Sequence, residues 1–289
     1  MEVIESLKTL EELKDNQILF GNKGAKIELK NTKIIFHGKN NIVFLEGKMS
    51  ILNSRIELHG DNNLVILGES RSQYMLNMNL YHNSVCCIGR NNYMNGKLNI
   101  IVSEQKHCFI GNNGLFSFDI WLRTADPHLV YDCETLKRKN LSRSIFLGDS
   151  VWVGQSAMIL KGSMIGSGSI VGAMAMVPGK KIPSNTSWGG NPARQIGSKV
   201  FFTKESVHFY KNAETKKSLK YKDDEFVFSY DAEHTKDFVK LDQSLTKKST
   251  AKERLDYLKR EVLEDGNKNR YFIPQSKKKK GKNRRLFKK

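Results

Sequence analysis

The segment LRTADPHLVYD holds the side chains best suited to acid–base chemistry: His128, with Asp126 two residues before it and Asp132 four residues after it. An alcohol is a poor nucleophile at neutral pH, so transfer of any group to a hydroxyl needs a base. Imidazole is the usual one because it titrates close to the working pH. A nearby carboxylate can orient the ring and stabilise its charged form. Taken alone, a histidine in a loop is more often just a polar loop residue; the repeat around it is what shifts the balance. The four cysteines, Cys86, Cys87, Cys108 and Cys133, include no CxxC pair, so no metal is expected and buried free thiols are the expected state.

What positions this segment is legible as a period. From Leu147 the chain reads LGDSVW, VGQSAM, ILKGSM, IGSGSI, VGAMAM and then VPGKK. Leu147, Val153, Ile159, Ile165, Val171 and Val177 lie six apart and are all aliphatic. Four positions after each of the first five stand Val151, Ala157, Ser163, Ser169 and Ala175, small or β-branched throughout. Gly148, Gly154, Gly166 and Gly172 each follow an aliphatic residue, where glycine relieves the backbone at a turn. Residues six apart would scatter around an α-helix. The spacing suits a short strand and a tight bend repeated around a prism, with the aliphatic residue inward and the small one at the corner.

Upstream the beat is looser. HGKNNIVFLEG at His37 recurs as HGDNNLVILGE at His59, and Ile88-Gly89 recurs as Ile110-Gly111, each offset by 22 residues. These read as coils lengthened by turn residues, with Asn-Asn and Gly-Asn pairs at the bends. One solenoid is therefore expected over 22–196, interrupted by a long loop at about 112–144 that carries His128. A helical cap is expected over 1–21, where Ile4, Leu7, Leu10 and Leu13 have helix-like spacing. A mixed extension follows over 197–275: a small subdomain, an arm over a neighbouring subunit or a partly disordered stretch. It includes an amphipathic helix near Thr250 to Asp265 with Leu255, Leu258 and Val262 on one side.

The formal net charge is +18 over 289 residues, and the tail 276–289 supplies nine Lys or Arg and no acid. Such a run is a solvated tail that favours a polyanion or an anionic membrane surface. No nucleic-acid-binding motif accompanies it. No apolar stretch reaches about 18 residues, and the acidic, polar start lacks a secretory signal. A cytoplasmic protein, peripheral at the inner membrane through its tail, is expected.

DPHLVYD followed by IFLGDSVWVG, the hexads and GGNPAR resembles the hexapeptide-repeat acetyltransferases: the maltose, galactoside, serine and capsule O-acetyltransferases. The match is closest from about Ile110 to Ile196. The 24-residue step from His128 to Trp152 most resembles the polysialic acid O-acetyltransferases. The resemblance implies an all-β-dominated, left-handed parallel β-helix, against the usual right-handed crossover. It also implies acetyl-CoA as acetyl donor and a homotrimer with active sites between subunits. His128 stands at the position of the catalytic base, assisted by Asp126, and Trp152 at the position that lines the acetyl-CoA channel beside the thioester. Backbone groups around Gly154, Gln155, Gly172 and Ala173 would bind the pantetheine arm. Lys180 or Lys181 would meet the CoA phosphates and Arg194 the nucleotide. Ser117 and Arg123 are the candidate acceptor contacts. Two departures stand out: Pro127 precedes the histidine where the family has glycine, and Met174 and Met176 occupy positions usually held by Gly and Val.

The expected function is O-acetylation of a capsular or other cell-surface polysaccharide, an acidic one in keeping with the basic chain, with the tail able to hold the enzyme near the inner membrane face or the capsule assembly machinery. An amino-sugar nucleotide or other small acceptor, N-acetylated with the same base, is the alternative. A non-catalytic β-solenoid that binds glycans or serves as a scaffold is the alternative from another class.

Overall fold

The computed structural model describes residues 1–275; the basic run 276–289 lies outside them. The chain winds as a three-sided parallel β-solenoid, as the hexads require. Face I holds eight strands, from Glu2–Ile4 through Ile120–Arg123 and Met158–Leu160 to Met176–Val177. Face II holds eight, from Gln17–Phe20 through His107–Ile110 and Ile145–Leu147 to Lys181–Ile182. Face III begins as the pair Ile27–Lys30 and Met49–Leu52. It continues through Tyr93–Met94, Leu115–Phe116, Trp152–Val153 and Ile170–Val171 to Thr186–Gly189. Each coil visits face II, then III, then I.

The register shows how the beat becomes geometry. On face II, Val43 pairs with Val65, Val65 with Cys86 and Cys86 with Cys108, steps of 22, 21 and 22 residues. Later, Phe146 pairs with Met164, a step of 18, or three hexads. The six hexad aliphatics, Leu147 to Val177, are all fully buried in the prism, as are Val151, Ala157, Ser163, Ser169 and Ala175.

The glycines act differently from the sequence expectation. Gly148, Gly154, Gly166 and Gly172 do not take positive φ. A Cβ on Gly154 would lie 2.5 Å from the Ala173 nitrogen of the next coil, so close approach of coils is what excludes side chains there. The left-handed bend falls instead at Ser150, Ser156, Gly162, Gly168 and Met174, again six apart. In the early coils asparagine makes the bend and also ties neighbouring coils together. Asn40, Asn62 and Asn91 take the left-handed bend, and the partners Asn41, Asn63 and Asn92 are buried. They bond the adjoining coils: the Asn63 amide N–H donates to Asn41 Oδ1 at 2.8 Å, and that of Ser84 to Asn63 Oδ1 at 3.1 Å.

The front end corrects one expectation. Instead of a helix over Glu2–Lys14, the strand Glu2–Ile4 pairs antiparallel with Lys33–Phe36, and a 3-10 turn spans Leu7–Glu12. The apolar spacing is still satisfied, because Ile4, Leu10 and Leu13 pack on the first coil. Cys86, Cys87 and Cys108 are buried as expected, but Cys133 is exposed, because it lies in the inserted loop.

The C-terminal extension is a cover for its own solenoid. Helices α1 (Asn212–Ser218), α2 (Phe238–Thr246) and α3 (Ala251–Leu258) follow one another, and α3 runs on into a π-helical turn, Lys259–Leu263. A capping box starts α3: the Glu253 N–H donates to Thr250 Oγ1 and the Thr250 N–H to Glu253 Oε2. Phe238, Leu241, Leu255, Leu258 and Tyr271 bury the outer row of face II, including Phe44, Ile66, Cys87, Phe109 and Phe146. The lock is a buried bidentate pair. Arg270 Nε and Nη2 donate to Asp149 Oδ2 and Oδ1 at 2.8 and 2.9 Å. No helix among the described residues is long and apolar enough to cross a membrane.

His107 lies in this buried layer with neither ring nitrogen hydrogen-bonded. Burial, reinforced by Arg254 and Lys106, pushes its pKa down to about 3 from the usual 6.5. Below pH 6.5 the unfolded chain takes up a proton that the folded chain refuses, so stability falls with pH until about 3. By pH 4 this single group should cost about 3 kcal/mol. Thermal melts from pH 7 to 4 should therefore be less acid-sensitive for His107→Leu than for the parent, and parallel curves would refute the assignment.

Candidate active site

The inserted loop enters the solenoid where face I turns into face II. Cys108 pairs with Ile145, a step of 37 residues, so this coil carries 19 residues beyond the 18 of a three-hexad coil. Those residues form a hairpin in which the Lys139 N–H donates to the Val130 carbonyl and the Asp132 N–H to the Lys137 carbonyl. Asn140, buried at the base, organises the irregular segment that bears the histidine. Its Nδ2 donates to the His128 carbonyl at 2.7 Å and to Asp126 Oδ2 at 3.0 Å, and its Oδ1 accepts from the Val130 N–H at 2.9 Å.

Two ion pairs pin the loop to the coils before and after it. Arg138 Nη1 and Nη2 donate to Glu104 Oε1 and Oε2 at 2.7 and 2.8 Å. Arg138, with help from Ser142, holds the Glu104 pKa down at about 2. Lys161 Nζ donates to Asp126 Oδ2 at 2.6 Å and keeps that carboxyl below its usual range.

His128 is exposed on this anchored loop. Its ring makes no hydrogen bond among the described residues, and neither flanking carboxylate reaches it. Asp126 is taken by Lys161 and Asn140, while Asp132 accepts from Thr135 and pairs with Lys139 at 2.9 Å. The expectation that Asp126 orients the imidazole is thus not met within one chain; Asp126 positions the loop.

The other expected residues divide between two edges of face I. Arg123, Asp126, His128, Lys180 and Lys181 gather where face I meets face II. Ser117, Gly154, Gln155, Gly172 and Ala173 gather where face III meets face I, beside Trp152 on face III. The Ser117 N–H donates to the Val153 carbonyl, and the Met174 N–H to the Gln155 carbonyl, so neighbouring coils stack this edge. Arg194 opens the final antiparallel strand opposite Gly189 and belongs to the same edge. The width of face I separates the two groups, roughly 15–20 Å for five or six extended residues. No hydrogen bond or ion pair among the described residues joins the loop to face III.

Trp152 is half-buried, and its indole N–H is buried without an acceptor. Phe202 of the extension packs on it, ring centroids 5.7 Å apart. Lys181 lines a crevice with Met164, Tyr230 and Phe238 beneath the extension, at about 240 Å³. Arg123 has a buried, unpartnered Nε. Asn140, Lys161, Glu104 and Phe202 were not anticipated. Their contacts span 10 to 50 residues of sequence, and no local motif marks them.

No protein-family model matches the chain, and no curated protein sequence matches it significantly. Solved structures do. The polySia-specific acetyltransferase NeuO superposes with a TM-score of 0.62 at 25% identity, over 70% of this chain and 93% of that one. The polysialic acid O-acetyltransferase OatWY shares the fold, with a TM-score of 0.53 at 19% identity over 70% of this chain and 97% of that one. The kinship with hexapeptide-repeat acetyltransferases expected from DPHLVYD and the hexads is borne out.

Asn140→Ala should release the loop and leave the prism intact. In hydrogen exchange, the amides of Val130 and Lys139 should lose protection while peptides covering Ile145–Leu147 keep theirs. Unchanged loop protection would contradict the role given to Asn140.

Proposed function

We propose that this protein is an acetyl-CoA-dependent O-acetyltransferase that acts on hydroxyls of an acidic capsular or other cell-surface polysaccharide, with His128 as general base. One observation carries the reading: a solenoid like that of NeuO presents an exposed, uncommitted imidazole on an anchored loop.

In the reaction, His128 accepts the proton of the acceptor hydroxyl as its oxygen attacks the thioester carbonyl. The tetrahedral adduct then collapses, the C–S bond breaks, and the imidazolium returns the proton to the departing CoA thiolate. Trp152 would flank the thioester. The backbone of Gly154, Gln155, Gly172 and Ala173 would follow the pantetheine arm, and Arg194 would meet the nucleotide. Of the two lysines, Lys180 is the better phosphate contact, because Lys181 lines the crevice under the extension. Ser117 and Arg123 would contact the acceptor.

Since one chain holds the two groups of residues apart, the active site is built between copies in a homotrimer. Trp121, Met158 and Met176 form one paired row of half-exposed side chains on the outer surface of face I, suited to such a contact. A cytoplasmic location, with the basic tail drawn to the polymer or to the inner membrane, fits the charge.

His128→Ala should lower turnover about 100-fold or more while acetyl-CoA still binds. Trp152→Ala should act mainly on the use of acetyl-CoA. The check is a screen of acidic and neutral polysaccharides with labelled acetyl-CoA, followed by product mass. Label appearing only on amines, or turnover unchanged in His128→Ala, would overturn the reading. Added salt should raise the KM for the polymer more than that for acetyl-CoA. Equal effects on both would remove the electrostatic argument.

A further inference from the structure

We propose that His37, Glu57 and His59 form a binding site for a divalent transition-metal ion of the Zn²⁺ type, on the outer surface of face I at the front of the solenoid. The site lies outside the residues assigned to acetyl transfer and does not depend on that reading. Alternation along the strand Arg55–His59 puts Glu57 and His59 on the same side of the sheet. The parallel register places His37 beside His59, since Phe36 pairs with Leu58. Two donors two residues apart on one strand and a third just past the end of the neighbouring strand thus converge.

The distances suit one ion. His37 Nε2 lies 2.9 Å from Glu57 Oε2, and His59 Nε2 lies 3.9 Å from the same oxygen. Among the described residues this is the one group of three His, Cys, Asp or Glu whose ligand atoms all lie within 4.8 Å of one another. Tetrahedral ligands at about 2.1 Å from zinc sit roughly 3.4 Å apart. Shifts of about 1.5 Å or less therefore close the site, within reach of small side-chain rotations.

The imidazoles are stacked, centroids 4.6 Å apart and planes 7° from parallel, and Tyr81 stacks on the far side of His59 at 4.6 Å. This holds His59 in place, while His37 at the open end of the stack is the ring that must turn. Arg55 occupies only Glu57 Oε1, at 2.5 Å, which leaves Oε2 to ligate. Asn79 Oδ1, 3.0 Å from His59 Nε2, stands where a fourth ligand or a hydrogen-bond partner for bound water is needed. Two imidazoles and one carboxylate favour zinc and its neighbours over Mg²⁺ or Ca²⁺. Bound there, the ion would cross-link the first two coils, next to the end where the solenoid would otherwise fray.

The test uses the full chain, stripped with a chelator and then titrated with Zn²⁺ by calorimetry and with Co²⁺ by visible absorption. The tail 276–289 contains no His, Cys, Asp or Glu side chain to compete. One equivalent of Zn²⁺ should bind, Co²⁺ should give d–d bands, and Zn²⁺ should raise the melting temperature. Glu57→Gln and His59→Ala should each weaken binding at least about 10-fold. Cys133→Ser and His234→Ala should not change it. Glu57→Gln is nearly isosteric on an outer face, so it tests the site without burdening the fold. Binding of undiminished strength in the His37→Ala/His59→Ala double variant, or no Co²⁺ bands at ~1 mM metal, would overturn the proposal.

Discussion

A parallel solenoid obeys one constraint: each coil must return its strands to the same three faces, one strand spacing, about 4.8 Å, along the axis. The inward rows enforce it. Leu45, Leu67, Ile88, Ile110, Leu147, Ile165 and Ile182 stack in register on face II and are all buried. A slip of one residue would turn a row outward. Surplus residues can therefore leave the coil only at its edges. The three or four extra residues of the early coils go into asparagine-rich bends, and the 19 extra residues of the fifth become the loop that carries His128. The place of the candidate base is thus a consequence of the packing beat. Its poise comes from the bonds of Asn140, Lys161 and Arg138, which turn a surplus of chain into an anchored hairpin.

Much of this could be read from residue order because the governing contacts repeat locally. Leu147 to Val177, at intervals of six, state the prism directly, and the recurring HGxNN phrase states the longer coils. What escaped was carried by contacts distant in sequence or ambiguous within it. The Arg270–Asp149 lock spans 121 residues and has no local mark. The apolar runs IVFL, LVIL and VCCI did hold an unread signal. Strands apolar at every position, unlike the alternating Arg55–His59, must be covered on both sides. Here the cover is α2 and α3. The spacing of Ile4, Leu7, Leu10 and Leu13 fits a 3-10 turn and a strand packed on the first coil as well as it fits a helix. Glu2 favours the former, because its carboxylate accepts the backbone N–H groups of Lys14 and Asp15 and the Asn16 side chain.

At the site, the sequence motifs mark residues but not their grouping. Trp152 and His128 are 24 apart in sequence, yet the winding puts them on face III and on the opposite edge of face I. A neighbouring copy is the simplest way to unite them, and the half-exposed row of Trp121, Met158 and Met176 lies between the two groups. Asp126 illustrates the difference between a residue near the base in sequence and one that acts on it: its partners are Lys161 and Asn140. Phe202 shows the converse, a residue of the extension that sequence did not connect with the site but that packs directly on Trp152.

The division of the site between copies is tested most directly by complementation. His128→Ala and Trp152→Ala chains would be prepared separately, dissociated, mixed in equal amounts and reassembled, with labelled acetyl transfer from acetyl-CoA to an acidic polysaccharide as the readout. A site that takes its imidazole from one copy and its indole from the next should regain about a quarter of the parent activity, since that share of interfaces pairs two intact halves. A mixture no more active than the two variants assayed alone would contradict the account.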